Sequence, residues 1–250
     1  MKPLHTIDEV LQALQQIIDT SIKNKDPLGY FAVLYYKVTQ KVKEGIQQEF
    51  FEDNPRMEQL DVIFASRYID AYYAYQSNQP TTASWQYAFS LATQFWPTVF
   101  QHLLIGMNAH INLDLGIAAA EVSKGGDISS LKTDFERINQ ILSDLVYDVE
   151  EDLSKIWPTL KKILTLTKDV DNFLVDFSMK LARDGAWKFA ETLFATAEDQ
   201  KVNVINQRDI KIAKKAKIIT EPGFIANFIM KIIRLGELGS VPQKIEDLKE

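Results

Sequence analysis

From Thr98 to Val122 the sequence is apolar nearly all the way round a helix. A helix without a polar face belongs in the middle of a fold, covered on every side by other elements. This segment dictates that the rest of the chain supply amphipathic partners, and the apolar spacing shows that those partners are helices. Only 10 Gly and 8 Pro occur, mostly at plausible helix boundaries, so the elements are long.

Thr6 and Glu9 form a capping-box pattern ahead of Ile7, Val10, Leu11, Leu14, Ile17 and Ile18. Asp26-Pro27 reads as the start of a second helix carrying Phe31, Leu34, Tyr35, Val38 and Val42. Asn54-Pro55 starts a third, through Met57, Leu60, Phe64 and Ala71, and a fourth runs from Ala83 to about Phe95, before Pro97. Beyond Gly125-Gly126, apolar residues recur every three or four positions from Leu131 to Ile163, a long helix that Pro158 kinks or breaks. A further helix is expected from about Asp169 to Ala197 and a last amphipathic one over Phe224–Leu235. Val202–Ile219 is read as a helix or, from its Ile210/Ile212 alternation, a short strand. The expected fold is an all-α, single-domain, multi-helix bundle over residues 1–250, with 98–122 as its buried central helix and 200–250 as an optional loosely packed extension.

Composition bounds the function. Apolar residues make up 46% of the chain, and 14 Phe, 9 Tyr and 4 Trp furnish a sizeable core. A net charge of −6 lacks the attraction that nucleic-acid binders use, so no nucleic-acid partner is expected. The chain has no cysteine, which removes disulfides and thiolate chemistry. No signal peptide follows the first lysine, and no run of about 18 uncharged apolar residues suggests a transmembrane segment, so a cytoplasmic location is expected. Phosphate-loop, dinucleotide-binding, nucleophile-elbow and zinc-finger patterns are all missing, and no cofactor is expected.

The middle of the central helix, Gly106–Leu115, carries four polar side chains. At about 100° per residue, His110 and Asp114 share one face, and Asn108 and Asn112 share another, nearly opposite. Arg67 interrupts the apolar stripe of the third helix and needs a carboxylate, for which Asp114 is the obvious candidate. Tyr68 and Tyr72 flank it, and Arg183, Asp184 and Trp187 lie together in a later helix, where Gly185 suggests a close helix approach or a local bend. Three uses of these residues are open. They form a buried network that fixes helix register; they line a pocket for a small apolar or anionic ligand, lipid included; or His110 and Asp114, with Arg67 as anion holder, serve a hydrolase or lyase. A His and an Asp at i, i+4 also suit a metal, but the only other histidines are His5 and His102, two ligands short of a tetrahedral site, so no metal is expected.

Two weaker features stand apart. Asp144, Asp148, Glu151 and Asp152 read as a solvated acidic face. The basic run Arg208–Lys217 followed by Phe224, Ile225, Phe228, Ile229, Ile232 and Ile233 reads first as a packing helix with a solvated connector, and second as a membrane-surface contact through 208–235.

Tyr30–Tyr35, Phe64–Tyr68 and the Gly106-Met-Asn-Ala-His-Ile-Asn-Leu-Asp-Leu115 segment together resemble an uncharacterised bacterial all-helical domain family of unknown function, up to about Ala197. That resemblance implies a helical domain and no activity. Gly106-x-x-x-His110-x-x-x-Asp114-Leu115 is also similar to the helix that gives zinc-dependent phospholipases C and related single-strand nucleases a His and an Asp for their metal cluster. Those enzymes need several more histidines, and this chain has none after His110, so a three-zinc cluster is not expected.

Overall fold

A computed structural model describes residues 3–157 and 179–249. Among them there are eleven α-helices and no strand: α1 (Ile7–Asn24), α2 (Gly29–Gln47), α3 (Asn54–Gln76), α4 (Ala83–Ser90), α5 (Val99–Ala109), α6 (Leu115–Val122), α7 (Lys132–Ile156), α8 (Met179–Ala195), α9 (Glu198–Thr220), α10 (Phe224–Gly236) and α11 (Val241–Lys249). The all-α architecture with a buried central helix is the one the apolar spacing calls for.

The start signals are used with small shifts of register. Thr6 and Glu9 close a reciprocal capping box on α1, and Thr98 and Gln101 close another on α5. Asp53, one residue before the expected start, caps α3 by accepting from the Arg56 amide at 3.0 Å. Asp26 accepts from the Leu28 amide at 2.9 Å and heads a turn, so that α2 begins at Gly29. α4 stops at Ser90 and a single 3-10 turn, Leu91–Thr93, carries the chain on. The stretch holding Ile210 and Ile212 is helical throughout α9, so the strand alternative falls. Two side chains of α9 explain its docking: Asp209 accepts from the Ala83 and Ser84 amides at 2.6 and 2.9 Å, capping α4 from another helix, and Arg208 enters the centre of the bundle. α7 ends at Ile156; Pro158, Leu160, Ile163 and the expected helix start at Asp169 lie outside the described residues.

α5 and α6 are one continuous rod joined by a π-helical turn, His110–Asp114, in which the Leu115 amide reaches back to the His110 carbonyl. The extra residue of a π-turn widens the helix and re-aims the side chains around it. By length and composition Val99–Val122 is apolar enough to cross a membrane, although Asp114 and Glu121 keep it short of a run of about 18 uncharged apolar residues. In this fold 89% of its apolar window is buried under other helices. α8 approaches this rod most closely at Gly116, not through its own Gly185. A Cβ on Gly116 would meet Phe189 Cδ1 at 2.7 Å and the Ala186 carbonyl oxygen at 2.9 Å, whereas at Gly185 it would meet only Arg208 Nη2 at 3.7 Å.

The core falls into two clusters. One gathers α1 to α5 and the C-terminal helices; the other gathers α6, α7 and α8 with Met57, Leu60 and Phe51. Val38, Phe64 and Met107 touch both. α11 returns across α1, α2 and α7 and buries Ile245 and Leu248. Asp152 departs from the expected solvated acidic face: it is buried, between Lys37 at 2.5 Å and Lys155 at 3.2 Å.

Candidate functional site

The polar pairs of the central helix answer two different neighbours. Asn112 donates to Asn108 at 3.3 Å, and Asn108 donates to the Ile212 carbonyl of α9 at 3.3 Å. Arg208, also from α9, donates through Nε to the Asn112 carbonyl at 3.0 Å inside the widened turn and lies over the Phe189 ring. This side of the rod is consumed by packing. A π-turn disturbs the regular ladder of backbone hydrogen bonds, and the guanidinium supplies a donor there.

The opposite side holds a charge cluster. Asp114 is fully buried and accepts from Arg67 Nε at 2.7 Å through Oδ1; through Oδ2 it accepts from Trp85 Nε1 at 2.8 Å and lies 3.2 Å from His110 Nδ1. Burial pushes the Asp114 carboxyl up, but the Arg67 guanidinium and the bonds from His110 and Trp85 outweigh it, and the group stays below the ordinary carboxylate range. Burial lowers His110, so the ring is neutral at pH 7. An ionised carboxylate accepts only, so the single ring proton sits on Nδ1 and Nε2 keeps its lone pair. Phe64 stacks on this ring at 3.6 Å and Tyr35 meets it edge-on at 4.4 Å.

His110 also lines a cavity of about 340 Å³ between the two core clusters. α2 contributes Tyr35 and Val38, α3 Asp61 and Phe64, α5 Leu103 and Met107, α7 Phe135 and Leu142, and α8 Arg183. Among the described residues the wall is apolar apart from four, and each of those carries a buried polar atom with no hydrogen-bond partner among them: Tyr35 OH, Asp61 Oδ2, His110 Nε2 and Arg183 Nε. Native interiors leave few such atoms, and each calls for a reason. Burial, with Glu58 adding to it, raises Asp61 to about 7. Burial lowers Arg183 to about 10; its guanidinium lies over the Phe135 ring at 4.5 Å and donates to the Phe135 carbonyl.

A family model described as a family of unknown function, DUF5995, matches residues 7–222. The chain belongs to the DUF5995 family. No curated protein and no solved structure matches it. In this DUF5995 chain the match runs past Ala197, through α9 and the Asp209 cap, and stops short of α10.

Of the residues singled out from sequence, Arg67, His110 and Asp114 come together, and Arg183 reaches the same cavity as His110. Tyr68 and Tyr72 are buried in the first core cluster, Trp187 packs on Phe135 at 5.0 Å, and Asp184 is exposed; none of the four lines the cavity. Among the described residues no group of three His, Asp or Glu side chains could hold a metal, and both Asp114 oxygens already accept from side chains. The similarity to the zinc phospholipase helix thus has no metal cluster around it among those residues. Sequence reading missed Asp61, although Met57, Asp61 and Phe64 share one helical stripe, the very signal that exposes Arg67. It also missed Trp85 and Arg208, whose roles depend on helix pairing.

Proposed function

We propose that this protein binds a small amphipathic molecule, an apolar body with a carboxylate head, in the cavity between its two core clusters. The observation that carries this is the convergence, on the lining of one apolar cavity, of four buried polar atoms without a partner among the described residues. The volume of about 340 Å³ lies within the range of small-ligand sites, roughly 300–1,000 Å³, as does the mix of apolar wall and few polar groups. The head-group charge is assigned from Arg183. Among the described cavity-lining residues it is the one cation at pH 7, it is 4% exposed, and it touches a carbonyl and a ring where a buried guanidinium is best matched by a carboxylate. Asp61, half-protonated near pH 7, and Tyr35 offer donors to the same ligand.

The test is calorimetric titration of the full chain with medium-chain fatty acids and their matching alcohols, with solvent extraction and mass spectrometry of the protein as purified. The acid should bind more tightly than the alcohol, Arg183→Met should remove that preference, and Val38→Trp, which fills the cavity, should abolish binding of both. Absence of binding, with nothing extracted, refutes the proposal.

A second reading makes the same cavity catalytic, as a hydrolase or lyase. It draws on the His110–Asp114 pair, in which an ionised carboxylate orients a neutral imidazole, the arrangement of a general base. Its mark would be turnover of esters of those acids that His110→Gln abolishes while acid binding persists.

A further inference from the structure

α10 is apolar on two faces. Ala226, Met230 and Ile233 are buried in the bundle. Phe224, Ile225, Phe228, Ile232 and Leu235 are exposed, from 47% at Ile232 to 91% at Phe224. At about 100° per residue these five fall within one stripe roughly 100° wide, set apart from the buried face. Soluble chains expose single apolar residues freely, but a continuous stripe of this size marks a binding surface.

The stripe extends beyond the helix. Phe95 and Trp96, just before Pro97, are 61% and 47% exposed. Lys231 Nζ lies over the Trp96 ring at 5.3 Å; Arg234 lies over the Phe95 ring at 4.9 Å and donates to the Phe95 carbonyl at 2.7 Å. Those contacts tie the aromatic pair to α10 as one surface, with cations along its flank. α10 itself carries no Asp or Glu. The acidic groups at its ends are Glu221, exposed, and Glu237, whose carboxylate is occupied by Arg234 at 3.0 Å and Lys244 at 2.7 Å.

We infer that α10 and the Phe95-Trp96 pair form a docking surface for an anionic lipid membrane, the helix lying in the interfacial plane with its Phe/Ile/Leu stripe in the acyl boundary. The chemistry is that of interfacial helices: a large apolar face, aromatic residues that favour the headgroup level, and flanking Lys and Arg. Charge decides between a membrane and a second copy of the chain. A two-fold contact through this stripe would set the Lys231 flank of one copy beside that of the other, with no carboxylate on α10 to offset it and Glu237 already held by Arg234 and Lys244, whereas anionic headgroups are its natural counter-charge. The inference stands on α10 and owes nothing to the cavity.

Co-sedimentation of the full chain with vesicles tests it, using phosphatidylcholine alone against a two-to-one mixture of phosphatidylcholine and phosphatidylglycerol. The protein should bind the mixture, bind pure phosphatidylcholine much less, and lose affinity as salt rises. Lys231→Glu, a change of two charges near the surface, should weaken binding roughly thirtyfold, at about 1 kcal/mol per charge. Phe224→Ser with Phe228→Ser should weaken it at least about tenfold, since each removes exposed apolar area only. Both variants should melt at the wild-type temperature, because neither site is in the core. Failure of the wild-type chain to bind the mixture, or equal binding by the double serine variant, overturns the inference. So does a dimer in sedimentation equilibrium that the serine variant dissociates, which would assign the stripe to a second copy.

Discussion

Asp114 is the residue whose replacement should cost this fold most for the fewest atoms changed. It accepts from Arg67 and Trp85 at 2.7 and 2.8 Å and lies 3.2 Å from His110 Nδ1, with 1% of its side chain exposed. Asp114→Asn keeps the shape and replaces one acceptor oxygen by a donor, which must then face Arg67 or else Trp85 and His110. No amide orientation serves all of them. Losing a partner from a buried ion pair costs about 3–5 kcal/mol, and a bond to a charged group is worth about 1.5–3 kcal/mol, so a loss of about 4–5 kcal/mol is expected. Arg67→Met is milder, about 3 kcal/mol, because Asp114 keeps its other donors and can take up a proton. Arg67 itself is 28% exposed, so its charge is partly hydrated when Asp114 is changed. In the double variant the Asn amide group no longer faces a guanidinium, and the two losses should fall short of additivity by about 2–3 kcal/mol.

Urea unfolding followed by circular dichroism reads all four proteins, with equal m-values required before midpoints are compared. Losses that add to within about 0.5 kcal/mol would refute the pairing. Full stability in both single variants would refute burial of the charge itself and open this side of the central helix to solvent.

Two further outcomes follow from the same packing. Asp61 is raised from 3.8 to about 7, so the folded state holds a proton that the unfolded chain releases; its contribution is present below pH 4 and is lost as pH rises through about 7. Asp61→Asn should therefore gain on the wild type by about 4 kcal/mol between pH 4 and pH 8, the lowered His102 and His110 cancelling in the difference; a flat difference refutes the raised group. Gly116→Ala should destabilise by about 1–3 kcal/mol despite better helix propensity, because the Ala186 carbonyl cannot yield, while Gly185→Ala, with its nearest contact at 3.7 Å, should be neutral or stabilising by up to about 1 kcal/mol in thermal melts.

What sequence disclosed here was whatever periodicity and misfit polarity encode. Helix spacing gave the all-α fold, and a charge on an apolar stripe gave Arg67 its partner at Asp114. The same logic read for Asp61 would have found a third ion, but an acid in a stripe of Met57 and Phe64 is easily taken for a surface residue. Trp85 and Arg208 were beyond reach, since an indole N–H and an exposed-looking arginine acquire a role only when α4 and α9 are placed against the central rod. α11 was missed because its nine residues are too short for a persistent period. The cavity itself leaves no trace in one dimension: it is the space between two core clusters, and its lining among the described residues comes from six helices and the π-turn.

The central rod shows why apolarity by itself assigns no place to a helix. Val99–Val122 has the length and composition of a membrane span, yet the four polar side chains of its middle, Asn108, His110, Asn112 and Asp114, are not scattered as isolated costs. They cluster on both sides of a single widened turn, and each side is answered by a different helix set: Asp209-bearing α9 through Arg208 and Ile212 on one, α3 and α4 through Arg67 and Trp85 on the other. Each answer is a directional bond that only one register of the neighbouring helix can make, whereas apolar contacts along the same rod tolerate sliding by a turn. The π-turn is therefore the point at which the register of α3, α4 and α9 is fixed, and it sets His110 against the cavity as a consequence of that fixing.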